Sequence, residues 1–83
     1  MSDWHVYIVE CADGSLYTGI ARDVNARIAT HNDGTGAKYT RGRLPVILRY
    51  QETVRDRSQA SQREHAIKQL SRDGKFALIQ AAA

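Results

Sequence analysis

The chain has 83 residues, 42% of them hydrophobic and 25% charged. That length leaves room for one domain over residues 1–83 and excludes a second module or a long regulatory tail, while the composition is that of a folded rather than a disordered chain. Twelve Lys and Arg against nine Asp and Glu give a net charge of +3, a mild bias towards polyanionic partners that many proteins share without binding nucleic acid.

From Trp4 to Cys11 the run WHVYIVEC is rich in β-branched and aromatic residues, and Ala12-Asp13-Gly14 supplies turn chemistry before a second such run, Leu16 to Ile20. These predict a hairpin. Two loops fit it: a two-residue turn on Asp13-Gly14, or a three-residue loop Ala12-Asp13-Gly14 with Gly14 left-handed beside a bulge. The second register is favoured. It puts Tyr7 and Tyr17 on one face and Gly19 opposite Tyr7, where a glycine would leave room above the ring for something other than protein.

Asp23 is a good N-cap for a helix from Val24 to about His31, closed by Asn32-Asp33-Gly34, with Ala21, Val24, Ile28 and Ala29 as its apolar stripe. Residues 33–43, DGTGAKYTRGR, read as a glycine-rich basic loop too polar for the core. A third strand follows from Val46 to Thr53, entered through Pro45. Asp56 or Ser58 can cap a long helix reaching Leu70, with Ala60, Arg63, Ile67 and Leu70 in helical period. Ser71-Arg72-Asp73-Gly74 reads as a chain break before a last short helix, Lys75 to about Gln80, that packs Phe76 and Ile79 on the sheet and ends in fraying alanines.

The single cysteine, Cys11, excludes an internal disulfide and offers no thiolate pair to a structural zinc. No apolar stretch approaches the roughly 20 residues of a membrane span, and Met1-Ser2-Asp3-Trp4 lacks the basic and apolar regions of a secretory signal. A soluble, cytoplasmic protein is expected.

Taken singly, the polar residues have ordinary explanations. Glu64 and Lys68 are spaced i, i+4 in the orientation that favours a helix-surface ion pair. Arg27 and His31 share that spacing on the first helix, and strand tyrosines such as Tyr7 and Tyr17 usually just pack. Their order is more telling. His5-Val6-Tyr7, then Tyr17-Thr18-Gly19 with the tyrosines ten positions apart, then Arg27, His31 and Glu64 together resemble the GIY-YIG nuclease superfamily, over about Trp4 to Leu70. The similarity is to its small stand-alone members.

The resemblance implies an α+β fold, a three-stranded antiparallel sheet flanked by helices in the order β-β-α-β-α-α. It implies a catalytic set of Tyr7, Tyr17, Arg27, His31 and Glu64, with Glu64 as the sole protein ligand of Mg²⁺ or Mn²⁺. In that scheme Arg27 grips the scissile phosphate and the two tyrosines orient the attacking water. The base is left open between Tyr7, Tyr17 and His31. The implied partner is DNA, with branched, nicked or single-stranded forms as the candidate substrates, in repair or recombination. Two departures stand out. The first signature has His5-Val6 where the family has a glycine, and an apolar stretch, Phe76 to Ile79, stands where many active members carry an Asn or similar polar residue beyond the glutamate.

The loop cations Lys38, Arg41 and Arg43, with Tyr39 among them, suit a phosphate-tracking edge with one stacking platform, and Lys68 can touch a phosphate or balance Glu64. No base-reading module is visible, so binding through backbone charge and shape, weakened by salt, is expected. Three functions remain open: a metal-dependent endonuclease, a nucleic-acid-binding module with the nuclease fold but little catalysis, and an adaptor for a larger protein.

Overall fold

The computed structural model describes residues 3–82, so the readings made for Met1, Ser2 and the terminal Ala83 lie outside the described residues. Strands β1 (Trp4–Glu10), β2 (Leu16–Ala21) and β3 (Ile47–Val54) form one antiparallel sheet in the order β2-β1-β3. Helices α1 (Val24–Asn32) and α2 (Lys38–Arg41) lie between β2 and β3 in sequence, and α3 (Arg57–Lys68) and α4 (Arg72–Ala82) follow. The class is α+β as expected, with one short helix, α2, beyond those the sequence pattern showed.

The hairpin takes the three-residue loop. Cys11 N donates to Ser15 O at 2.8 Å and Gly14 N to Cys11 O at 2.9 Å, with Gly14 at φ +84° in the region only glycine enters freely. Asp13 Oδ1 fixes the turn by accepting from Ser15 N at 3.0 Å. Tyr7 therefore pairs with Gly19, and Val9 with Tyr17.

Asp23 caps α1 through Ala26 N at 3.0 Å, and Asp56, not Ser58, caps α3 through Gln59 N at 2.9 Å. Ala60 and Ile67 are buried under α3, but the helix ends at Lys68, so Leu70 falls out of helical phase and is 40% exposed rather than in the apolar stripe. Likewise Ala29 faces solvent on α1. Ser71-Arg72-Asp73-Gly74 starts α4 instead of breaking the chain. Ser71 Oγ accepts from Gly74 N at 3.0 Å, and Asp73 lies in the first turn, where a carboxylate suits the helix dipole.

Residues 33–43 also depart from the open loop that was expected. They contain α2, and Thr40 within it is completely buried. A hydroxyl can sit in a core when both its donor and its acceptor capacity are met, and here they are. The Asn32 side chain bonds both main-chain groups of Val46, accepting from its N at 2.8 Å and donating to its O at 3.2 Å, which ties the end of α1 to the entry of β3. Alternation along β1 divides the core in two. Tyr7 and Val9 pack with Val24 and Val46 on one face of the sheet, while Val6 and Ile8 pack with Ala60, Ile67 and Ile79 on the other.

Candidate active site

Gly19 is small because Tyr7 needs the space. A Cβ built on Gly19 would stand 2.5 Å from the Tyr7 hydroxyl oxygen, so the tyrosine ring itself fills the gap that the sequence suggested was open to a ligand. Tyr7 is 2% exposed. Its hydroxyl passes over β2 and meets His31 Nε2 at 2.8 Å.

The hydrogens along this contact can be assigned from the network. Thr40 Oγ1 has one hydrogen and donates it to Ala37 O at 2.9 Å, so towards His31 Nδ1, 2.9 Å away, it can only accept. Nδ1 therefore carries the imidazole proton, Nε2 is a bare acceptor, and the Tyr7 hydroxyl donates to it. The titration behaviour agrees: burial, then the positive charge of Arg27, lowers the pKa of His31 and keeps it neutral. Burial foremost, with Tyr17 and Glu64 adding to it against Arg27, pushes the Tyr7 phenol well above its ordinary range and keeps it protonated. Gly36 completes the cradle, since a Cβ there would stand 2.5 Å from His31 Nδ1.

His31 is thus not placed as a water-facing base. It is 1% exposed with both ring nitrogens engaged, and what it can receive is the proton of Tyr7. Tyr17, half-buried, meets the His31 ring edge-on at a centroid distance of 5.5 Å and stacks on Tyr39 at 5.9 Å. Arg27 on α1, Tyr17 on β2 and Glu64 on α3 all lie near enough for their charges to act on the Tyr7 hydroxyl. The structure therefore gathers Tyr7, Tyr17, Arg27, His31 and Glu64 from four elements, with Arg27 exposed and Tyr7 and His31 beneath.

Among the described residues no three His, Cys, Asp or Glu side chains converge as a metal cage. Glu64 nevertheless offers a partly exposed carboxylate, and a single hard oxygen donor suits a Mg²⁺-like ion that keeps most of its waters. Lys68 Nζ is 3.3 Å from Glu64 Oε2 and 5.9 Å from the centre of the Tyr17 ring. It belongs to the site's edge and serves as counter-charge to the carboxylate.

The loop cations divide. Lys38 is exposed, and Arg41 Nε donates to Gly36 O at 3.1 Å. Arg43, expected on the phosphate edge, is engaged in the fold: it pairs with Asp13 at 3.1 Å, donates to Tyr39 O at 2.7 Å and lies 4.1 Å from the Tyr39 ring centre. Tyr39 is consequently held between neighbours rather than free as a platform. Sequence reasoning missed Thr40 and Gly36. The only available signal was the second of two threonines, nine residues after His31, in a segment too polar to be read as core.

Comparisons with known proteins give a family and a set of relatives. A family model described as the GIY-YIG catalytic domain matches residues 3–77. The chain is 59% identical over 80 residues to a UPF0213 protein of Desulfotalea psychrophila, covering 95% of this chain and 73% of that one. It is 58% identical over 75 residues to a UPF0213 protein of Halobacterium salinarum, covering 90% and 97%. Among solved structures it is similar to the UPF0213 protein of Bacillus halodurans, with TM-score 0.61, 44% identity and coverage of 95% and 84%. A protein from E. faecalis gives TM-score 0.66 and 37% identity over 98% and 86%.

Proposed function

The chain belongs to the GIY-YIG family, and from that premise we propose that it is a metal-dependent endonuclease hydrolysing DNA phosphodiester bonds. The observation that carries this reading is the Tyr7–His31 contact, a buried phenol donating to an imidazole within reach of the charges of Arg27 and Glu64. In this reading Arg27 receives the scissile phosphate, a bidentate partner for its planar guanidinium. Tyr17 orients the attacking water at the mouth of the site. Tyr7 takes the proton of that water as its own passes to His31 Nε2.

The relay switches on with substrate. Burial, and after it the charge of Arg27, lowers the His31 pKa, and an arriving phosphate anion offsets the second of these and makes the imidazole a better acceptor. Glu64 would hold Mg²⁺ or Mn²⁺, which when bound supplies positive charge to the leaving oxygen. No described helix is long and apolar enough to cross a membrane, which accords with a nucleic-acid substrate reached from water.

The test is cleavage of labelled DNA forks and single strands in Mg²⁺ or Mn²⁺. Glu64→Gln should lower the rate by about 100-fold or more, and undiminished cutting would overturn the assignment. A binding module without catalysis is the second reading. It is favoured by the ion pair of Lys68 with Glu64, which competes with a metal for the carboxylate, and it predicts salt-sensitive binding with no cleavage in either metal.

A further inference from the structure

Between α1 and the adjoining ends of β1 and β2 runs a cleft of about 540 Å³, within the size range of small-ligand sites. Trp4, Arg22, Asp23, Arg27 and Thr30 are among the residues that line it. The cleft is thus continuous with the arginine of the candidate active site. Nothing in the Tyr7–His31 arrangement uses it.

Its chemistry is unusual for this surface. Trp4, part-buried, is flanked by two guanidinium groups, Arg22 at 6.0 Å and Arg57 at 5.7 Å from the ring centre. Both lie at the outer reach of a cation–π contact with the neutral ring, which leaves each charge available to an anion. The four ion pairs among the described residues take Arg43, Arg49, Arg63 and Lys68, and none takes Arg22, Arg27 or Arg57. The carboxylate of Asp23 is engaged by Ala26 N as the α1 cap. Two cations flank the indole and a third, Arg27, lines the same cleft, none with a carboxylate partner, a chemistry suited to a phosphate chain that carries planar rings.

We propose that this cleft is a strand-binding subsite, in which single-stranded DNA leaving the scissile phosphate at Arg27 places a base on Trp4 and its phosphates on Arg22 and Arg57. The proposal rests on the nuclease reading for its orientation and names where that reading's substrate continues. Stacking on an aromatic face is tolerant of sequence, and arginines alongside add charge without base recognition. The subsite therefore favours a strand with unpaired bases near the cut over an intact duplex, whose bases are already stacked.

Trp4 is the one tryptophan of the chain, so its emission, excited where tyrosine does not absorb, reports this cleft alone. The experiment titrates a short fluorescently labelled oligothymidylate, and the same phosphodiester without bases, into the protein in EDTA. Strand binding is followed by anisotropy and the cleft by Trp4 emission. Oligothymidylate should quench Trp4 saturably while the abasic strand binds without quenching. Trp4→Leu should weaken oligothymidylate about tenfold and leave the abasic strand unchanged.

Because Trp4 also packs against the core, Arg22→Gln provides a second variant, expected to weaken both strands and to lower the salt slope by about one. Anisotropy that rises with no base-dependent change at Trp4 overturns the subsite and leaves the nuclease reading standing. Base-dependent quenching in a protein that cuts no DNA supports the subsite and overturns the nuclease reading. A flat titration by both signals overturns both.

Discussion

On one side of β1, Val6 and Ile8 are fully buried against the apolar side chains of Ala60, Ile67 and Ile79. On the other, Tyr7 is buried to nearly the same degree, yet its hydroxyl belongs to a polar chain through His31 and Thr40 that ends on a main-chain carbonyl. Alternation along one strand produces both environments from adjacent residues. The first holds the fold by burial, since removing apolar surface from water stabilises in proportion to its area. The second contributes less to stability, because a buried hydrogen bond largely replaces one made to water, but it fixes the direction in which a proton can move.

If the two faces divide the labour in this way, mutations should separate them. Ile67→Ala should have the largest effect on stability, about 2–5 kcal/mol, because it leaves a cavity under α3. Cleavage per folded molecule should be retained. Chemical denaturation and an assay normalised to folded protein check both halves, and loss of cleavage in folded Ile67→Ala would break the division. Tyr7→Phe should do the reverse. It strips the donor from His31 Nε2 at a cost of about 1–3 kcal/mol, while cleavage should fall by about 10²–10⁴-fold.

Thr40 sharpens the comparison further. Thr40→Val keeps the shape but removes the acceptor that holds the proton on His31 Nδ1, whereas Thr40→Ser keeps the hydroxyl. The valine variant should populate the other imidazole tautomer, visible in the ring ¹⁵N shifts, and slow cleavage by about tenfold. The serine variant should restore both. A valine variant with an unchanged tautomer would mean that Thr40 merely fills space.

Much of this was legible in the residues. The β-branched and aromatic run WHVYIVEC, the glycine at the hairpin and the capping aspartates are local signals, and the structure follows them. The family order of Tyr7, Tyr17, Arg27, His31 and Glu64 marked residues that the fold brings together. What failed was long-range. That Gly19 makes room for Tyr7, that Thr40 and Gly36 enclose His31, and that Arg43 holds the hairpin through Asp13 all depend on segments meeting in space. The Ser71–Gly74 segment misled for a different reason. Serine, aspartate and glycine suit turns and helix starts alike, and only the bond from Gly74 N to Ser71 Oγ decides between them.

The smallest expected effect is a pH dependence, to which the polar face contributes at both ends of the range. His31 has its pKa lowered in the folded protein from the ordinary 6.5 by burial first and Arg27 second. As pH falls below 6.5 the unfolded chain takes up a proton that the folded chain still refuses, so the unfolded state is favoured and stability declines until the folded pKa is reached. Tyr7 shifts the opposite way, so above pH 10 the unfolded chain loses a proton that the folded chain keeps, and stability declines again. Asp13 and Asp33, both lowered from 3.8 chiefly by hydrogen bonds from Ser15 and Thr35, act only below that value and leave the His31 window clear. Denaturation midpoints across the pH range should therefore form a plateau with two shoulders, and Tyr7→Phe should reduce the alkaline one while leaving the apolar face's contribution in place. A midpoint that rises on acidification from 6.5 would contradict a neutral His31, and with it the assignment of the Tyr7 hydroxyl as donor.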